Sequence, residues 1–252
     1  MTAAHNSLKD KILVALDVST LEQALYLVDL LKDAVGGFKV GLELCTSAGT
    51  QQAIEAVSRA GSKVFVDLKF KDIPNTVAGA AKAVTRPGVF MFNVHCDGGS
   101  AMMQAAVATA RASSEHPPLV IGVTLLTSID EPTLQQELRI PEDAHNYVLH
   151  LARLAQSAGL DGVVCSAHEV AAIKAICGQQ FLTVVPGVRP TWAVAGDQKR
   201  VMTPADAIRA GADYLVIGRP ITHPPVAIGT PAIAAQRIMQ EIADALTGPH
   251  YA

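Results

Sequence analysis

The feature that most constrains the fold is a regular alternation between short apolar segments and longer segments with helical periodicity. Eight apolar segments are rich in β-branched residues and have the length of buried strands, and a helix-period stretch follows each one. The predicted strands are Ile12–Leu16, Phe38–Val40, Val64–Leu68, Val89–Val94, Leu119–Thr124, Gly162–Cys165, Leu182–Val185 and Tyr214–Ile217.

Eight strand-then-helix units in 252 residues predict an α/β fold, a (β/α)₈ TIM barrel. The rival is a doubly wound open sheet, which normally carries a glycine-rich phosphate loop after its first strand. Here Asp17-Val18-Ser19 follows that strand instead. Because no linker or low-complexity segment divides the chain, we expect residues 1–252 to form one domain.

The composition of the chain indicates which kinds of partner it can have and where in the cell it is expected. Hydrophobic residues make up 50% of the chain, so a large core can form, and a net charge of −3 argues against a nucleic-acid partner. No apolar segment approaches membrane-span length and no charged-then-apolar leader opens the chain, so we expect a cytoplasmic protein with no membrane partner. The four cysteines form no close pairs, which favours buried free thiols over a disulfide framework or a zinc site.

Polar residues gather where the predicted strands end. In a TIM barrel the carboxyl ends of the strands form the active site. Nearly every such end carries a polar or charged group, and the opposite ends do not show this pattern. The residues at or just beyond the carboxyl ends are Asp17, Lys39, Asp67, Lys69, Asp72, His95, Thr127, Ser128, Ser166, Pro186, Arg189, Gly218 and Arg219.

The charges on the first three strands alternate in sign. Asp67 and Lys69 are two residues apart, so a regular strand points both to the same side, with Lys39 and Asp17 on the neighbouring strands. A structural ion network is the alternative explanation for any one of these residues. Desolvation offsets most of the Coulomb gain of buried ion pairs, so a catalytic site explains a row of four charges better.

These charges indicate what Lys69 can do. Acidic neighbours favour its charged form, whereas a Schiff-base lysine needs a neutral amine, so we expect a proton donor. Asp67 would repel a substrate carboxylate about 4 Å away by on the order of 4 kcal/mol. Loss of that carboxylate as CO₂ relieves the repulsion, and Lys69 can protonate the remaining carbanion. The row therefore predicts decarboxylation without a metal or a cofactor, and Lys71, at an alternating position, should face outward.

The last two strand ends predict a phosphate site. Gly218-Arg219 and the turn at Gly187 occupy the usual phosphate position of a TIM barrel, where backbone N–H groups and an arginine bind the anion. The segment from Arg189 to Met202 is long and polar for a barrel loop. It is either a closing lid or a mobile surface loop.

The ten residues from Asp67 to Thr76 (DLKFKDIPNT) closely resemble the signature of the orotidine 5′-phosphate decarboxylase family. Weaker matches follow in family order and extend the resemblance from Leu16 to Thr222. They are Leu16-Asp17, Phe38-Lys39-Val40-Gly41, Pro186-Gly187-Val188-Arg189, Gly196-Asp197-Gln198 and Gly218-Arg219-Pro220-Ile221-Thr222. The resemblance implies conversion of orotidine 5′-monophosphate to UMP and CO₂ in pyrimidine biosynthesis.

The resemblance also implies a role for each matching position. Lys69 would protonate C6 of the pyrimidine, Asp67 would face the leaving carboxylate, and Lys39 and Asp17 would hold the ribose hydroxyls. Asp72, with Ile73 and Thr76, would enter the site of the other subunit of a homodimer. The positions implied to read the pyrimidine edge or bind phosphate are Thr127, Ser128, Pro186, Arg189, Gln198, Gly218 and Arg219.

Two other functions stay open at this point. Related Mg²⁺-dependent sugar-phosphate lyases share the Asp-x-Lys-x-x-Asp core but have an acidic metal ligand near the second strand, where this chain has Lys39. A scaffold that binds nucleotide phosphates without catalysis is the other, although intact Asp67, Lys69 and Asp72 argue against it.

Overall fold

The structure, a computed structural model, describes residues 8–193 and 202–247. Eight parallel strands pair in sequence order, and β1 also pairs with β8, which closes the barrel. The predicted TIM barrel is confirmed, and no strand limit differs from its prediction by more than two residues. The strands are β1 (Ile12–Ala15), β2 (Gly37–Gly41), β3 (Val64–Phe70), β4 (Val89–His95), β5 (Leu119–Val123), β6 (Gly162–Val164), β7 (Leu182–Pro186) and β8 (Tyr214–Ile217).

Helices surround the barrel in the described part of the chain. They are α1 (Leu21–Leu31), α2 (Leu42–Ala48), α3 (Thr50–Arg59), α4 (Pro74–Val84), α5 (Ser100–Ser113), α6 (Ala144–Ser157), α7 (Val170–Cys177), α8 (Pro204–Arg209), α9 (Arg219–Thr222) and α10 (Pro231–Thr247). Thr203 caps α8 by accepting a hydrogen bond from Asp206 N, and Pro204 occupies the first turn. Apolar helix faces and the outward-facing strand residues form the main core.

Strand periodicity separates this outer core from a smaller inner one. Ile12 and Val14 of β1 pack outward beneath the helices, whereas Leu13 and Ala15 point into the barrel. The buried residues of the inner core are Leu13, Ala15, Phe65, Met91, Ile121, Val184 and Val216. This inner layer forms an apolar floor, and only side chains nearer the carboxyl ends can form a polar site.

Charged groups also lie at the opposite end of the barrel, before β6 and β8. Asp213, just before β8, accepts hydrogen bonds from Thr183 N and from the buried Lys174 ammonium, both at 2.7 Å. Asp161, just before β6, accepts from Val120 N at 2.7 Å. These carboxylates bond backbone donors at the starts of neighbouring strands, which gives them a structural role.

The predicted state of the cysteines is confirmed: Cys45, Cys96, Cys165 and Cys177 are all free and buried. Within residues 8–193 and 202–247, the structure contains no helix with the length and hydropathy needed to span a membrane.

Candidate active site

Four charged side chains lie side by side at the carboxyl ends of β1, β2 and β3. Lys39 Nζ is 3.1 Å from Asp17 Oδ1 and 3.2 Å from Asp67 Oδ2. Lys69 Nζ is 2.7 Å from Asp67 Oδ1. The predicted alternation of sign is therefore present, and we call Asp17, Lys39, Asp67 and Lys69 the charge row.

Burial is deepest at the centre of the charge row. The side chains of Lys39 and Asp67 are 10% and 12% exposed, whereas that of Asp17 is 59% exposed. Burial alone would lower the pKa of Lys39, but Asp67 and Asp17 outweigh it and the pKa is raised. Burial alone would raise the pKa of Asp67, but Lys39, Lys69 and a hydrogen bond from Asn93 lower it. Both central groups therefore stay charged at neutral pH.

The end of β3 is not a regular strand, so the geometric reason given for pairing Asp67 with Lys69 is wrong although the pairing itself is correct. Val66 pairs with Phe92 of β4, and the next pairing joins Phe70 to Val94. Between these two pairings the chain advances by four residues in β3 but by only two in β4, so β3 contains a bulge. Lys69 adopts a left-handed backbone with φ of 52°, and its side chain reaches Asp67 from this bulge.

The residues beyond the bulge lie on the surface. Lys71 is exposed, and its ammonium lies 2.7 Å from Asp97 Oδ2 rather than in the charge row. Asp72, Ile73 and Thr76 lie at the start of α4 and are exposed, and Ile73 retains 67% of its accessible surface. Asp72 Oδ1 accepts a hydrogen bond from Ile73 N.

A cavity of about 740 Å³ lies on the other side of the barrel mouth, at the ends of β5, β6 and β7. Its lining includes the predicted site residues Thr127, Ser166, Pro186 and Arg189. Ser128 is exposed in the loop next to Thr127. The four residues of the charge row do not line this cavity, so the charge row and the cavity occupy different parts of the mouth.

The ends of β7 and β8 have the predicted turn geometry. Gly187 has φ of 77°, a conformation that favours glycine, and Arg189 N donates to Met202 O at 3.2 Å. That bond joins the two ends of the segment from Arg189 to Met202, in which Gln198 lies outside the described residues. Gly218 caps the short helix α9, and Arg219, its first residue, is exposed.

Comparisons with known proteins place this barrel in a family. Residues 10–227 match the family described as orotidine 5′-phosphate decarboxylase / HUMPS. An orotidine 5′-phosphate decarboxylase from Moorella thermoacetica is 52% identical over 238 residues, which cover 93% of this chain and 92% of the relative. The chain belongs to the orotidine 5′-phosphate decarboxylase / HUMPS family.

Other members of the family agree in length and fold. An orotidine 5′-phosphate decarboxylase from Gloeothece citriformis is 48% identical, covering 94% of this chain and 99% of the relative. The crystal structure of orotidine 5′-phosphate decarboxylase from Lactobacillus acidophilus is 36% identical with a TM-score of 0.80, covering 92% of this chain and 98% of that one. The predicted enzyme class, a decarboxylase of this family, is confirmed.

One buried polar residue of the site, Asn93, was not predicted from the sequence. Asn93 of β4 is 1% exposed, donates from Nδ2 to Asp67 Oδ1 at 2.7 Å, and accepts from Lys69 N at 2.8 Å. Strand periodicity contained the signal, because Asn93 is two residues after the inward-facing Met91 and two before His95. His95 is half-buried, and burial lowers its pKa.

Proposed function

We propose that this protein converts orotidine 5′-monophosphate to UMP and CO₂ in de novo pyrimidine biosynthesis, without a metal or an organic cofactor, through one domain spanning residues 1–252. The observation that carries the proposal is the charge row, in which a buried, ionised Asp67 lies between two lysine ammonium groups. Decarboxylation fits this arrangement because it removes a negative charge from the site and requires one proton.

The chemistry follows from Asp67 and Lys69. A substrate carboxylate bound beside Asp67 is repelled by it, and the repulsion disappears as the group departs as CO₂. When the bond between C6 and the carboxylate breaks, its electron pair remains on C6. The Lys69 ammonium stabilises that developing charge and then transfers a proton to C6, which leaves a neutral amine to be reprotonated by solvent.

Lys39 and Asp17 complete the site on the neighbouring strands. Lys39 touches both carboxylates of the charge row, so it keeps Asp67 ionised and still has a donor for a ribose hydroxyl. The Asp17 side chain is mostly exposed at the mouth and can accept from the second hydroxyl. These two residues would orient the ribose so that C6 lies over Lys69.

The residues after β5, β7 and β8 would bind the nucleobase and the phosphate of the substrate. Thr127 and Ser128 would read the pyrimidine edge from the loop after β5. Pro186 and Arg189 border the cavity, and Gly218 and Arg219 begin the short helix after β8. A phosphate there would accept from backbone N–H groups and from guanidinium donors, and Gln198 would connect the lid segment to the base.

We also propose a homodimer with shared sites. Asp72, Ile73 and Thr76 are exposed at the start of α4, and Ile73 presents a large apolar side chain to solvent. In the proposed dimer these residues cover the charge row of the partner, and Asp72 adds a carboxylate to it. These residues follow the end of β3 and are exposed, so a second subunit could contact them.

The rival function, a Mg²⁺-dependent sugar-phosphate lyase, is disfavoured by Lys39. Its ammonium lies 3.1 and 3.2 Å from the carboxylates of Asp17 and Asp67, between which a metal ligand set would have to form. A cation fixed there opposes the binding of a divalent metal.

The direct test follows the loss of orotidine 5′-monophosphate by its absorbance, with and without EDTA, and identifies the products. We expect UMP and CO₂ in equal amounts, with a rate that EDTA changes by less than about twofold. A strict Mg²⁺ requirement, or turnover of a sugar phosphate and not of orotidine 5′-monophosphate, would refute the proposed function.

A further inference from the structure

The backbone at Lys69 is held in an unfavourable conformation. Its φ of 52° lies in the left-handed region, where the only other non-glycine residue of the described part of the chain is Arg139. For a residue with a side chain, this conformation is unfavourable because the Cβ atom approaches the following carbonyl oxygen. Neighbouring groups must therefore fix it, and the position of the Lys69 ammonium depends on those groups.

The neighbour that contacts this backbone is Asn93 of β4. Because β3 carries two extra residues against β4, the bulge from Asp67 to Lys69 faces Asn93. Asn93 Oδ1 accepts from Lys69 N at 2.8 Å, and Asn93 Nδ2 donates to Asp67 Oδ1 at 2.7 Å. One buried carboxamide thus bonds both the backbone of the proton donor and the side chain of the carboxylate beside it.

A carboxamide suits this place because it offers a donor and an acceptor on one rigid plane and carries no charge. An aspartate would keep the acceptor for Lys69 N but would lose the donor and add a second negative charge next to Asp67. An alanine would lose both bonds. The neutral donor stabilises ionised Asp67 without adding a counter-ion that would weaken its repulsion of a substrate carboxylate.

We propose that Asn93 is a positioning residue, which holds Lys69 in its left-handed conformation and orients the Asp67 carboxylate toward the departing group. This inference rests on the proposed function for its kinetic consequences, but not for its structural ones. Asn93 acts through its two neighbours and has no assigned contact with the substrate.

The alternative is that Asn93 is only a buried polar group whose hydrogen bonds stabilise the barrel. Thr183 of β7 provides a matched control, because it is fully buried in a strand and hydrogen-bonded near the opposite end of the barrel. Thr183→Val should lower stability while leaving the kcat of the folded enzyme unchanged. A purely structural Asn93 should behave in the same way.

The experiment compares Asn93→Ala, Asn93→Asp and Thr183→Val by kinetics, by UMP binding and by crystal structure. For Asn93→Ala we expect kcat per folded enzyme to fall by about 10- to 100-fold, because the variant loses one hydrogen bond to the charged Asp67 and one to the Lys69 backbone. UMP lacks the leaving carboxylate, so its affinity should change by less than about threefold. In the crystal, Lys69 should leave the left-handed region and its ammonium should move away from Asp67.

Asn93→Asp separates the two hydrogen bonds. Its acceptor should keep Lys69 left-handed, while the lost donor and the added charge should shift the acid limb of the kcat/KM profile to higher pH, because Asp67 is harder to ionise. The charged groups in contact with Asp67 are Lys39 and Lys69, and Asp17 lies beyond Lys39. The charge of Asp67 also acts on His95 and Cys45, and on its own it raises the pKa of each.

Three results would overturn the proposal: an Asn93→Ala enzyme with kcat within threefold of wild type, an unchanged left-handed Lys69 in its crystal structure, or an unshifted Asn93→Asp profile. The proposed function fails separately, if the wild-type protein does not turn over orotidine 5′-monophosphate. In that case the Lys69 backbone in the Asn93→Ala crystal still decides whether Asn93 positions it.

Discussion

At the scale of single residues, the charge row depends on Gly41, which carries no charge. A Cβ at Gly41 would lie 2.7 Å from Lys39 Nζ and 3.6 Å from Asp17 Oδ1. The first contact is with the far end of a flexible side chain. The backbone can therefore tolerate alanine, but the Lys39 ammonium group must shift from its position between Asp17 and Asp67.

Gly41→Ala should lower kcat/KM for orotidine 5′-monophosphate by about tenfold or more, with little change in the free energy of unfolding. Gly37→Ala is the control on the same strand, since its Cβ would lie 2.8 Å from the backbone carbonyl oxygen of Lys63. We expect it to lower stability and leave the kcat/KM of the folded enzyme unchanged. Equal effects of both variants on stability and activity would contradict this account.

The sequence was sufficient to bring Asp67, Lys69 and Lys39 together, because strand order and alternating charge are visible in it. It could not predict the left-handed backbone of Lys69, since non-glycine residues rarely adopt that conformation and no local motif marks it. Asn93 was missed for a related reason. Strand periodicity indicates that Asn93 faces the barrel interior, but its two hydrogen bonds depend on the bulge in β3, which the sequence does not predict.

At the scale of elements, the contact between Lys39 and Asp67 joins β2 to β3 inside the barrel. The pKa of Asp67 is lowered in the folded state, so the unfolded chain binds its proton more tightly. The ion pair therefore contributes its full stability above the ordinary aspartate value of 3.8, and the contribution is lost as the pH falls through the folded pKa. The pKa of Lys39 is raised in the folded state, so its pH dependence runs in the opposite direction. Lys39 contributes its full stability below pH 10.5 and loses it only as the pH rises above that value.

Asp67→Asn should therefore reduce the free energy of unfolding by on the order of 3 kcal/mol at neutral pH, because the buried Lys39 loses one of two partners. The difference from wild type should stay constant from about pH 5 to 9 and shrink below about pH 4, where the unfolded wild-type chain begins to bind a proton at Asp67 and the folded chain does not yet bind it. Denaturant unfolding of both proteins at a series of pH values measures this difference in the free energy of unfolding. The other carboxylates titrate in both proteins, so their effects cancel in the difference. If the difference in the free energy of unfolding grew as the pH fell, the pKa of Asp67 would not be lowered in the folded state.

Element limits were largely predictable because each strand is a short β-branched segment bounded by polar residues. The exception is β3, which extends two residues past its predicted end, through the bulge to Phe70. Alternating hydrophobicity assumes a regular strand, so it cannot predict where a bulge lies or where a bulged strand ends. The roles of Asp161, before β6, and Asp213, before β8, were also not predicted. Each accepts a hydrogen bond from the backbone of a neighbouring strand, and that contact depends on a strand register that the sequence does not show.

At the scale of the whole molecule, barrel closure follows from eight parallel units in sequence order, whereas the proposed dimer depends on residues beyond the rim. Asp72 lies past the bulge and is exposed. If it completes the partner's site, each active site takes Lys69 from one subunit and Asp72 from the other.

Mixing Lys69→Ala and Asp72→Ala proteins, each nearly inactive alone, should then restore activity. With random subunit exchange, half of the dimers are hybrids and each hybrid has one native site, so recovery should approach about one quarter of wild-type activity. The control mixes two preparations of Lys69→Ala, which should recover nothing. Absence of recovery despite demonstrated subunit exchange would show that the sites are not shared.

If Lys69 of the charge row supplies the proton to C6, the turnover number of Lys69→Ala at saturating orotidine 5′-monophosphate should fall sharply. Lys32→Ala is the matched control, because Lys32 pairs with Asp29 on the exposed surface near the end of α1. We predict a fall of about a thousandfold or more for Lys69→Ala, with measurable UMP binding and no change for Lys32→Ala. A Lys69→Ala rate within tenfold of wild type would contradict the proposed mechanism.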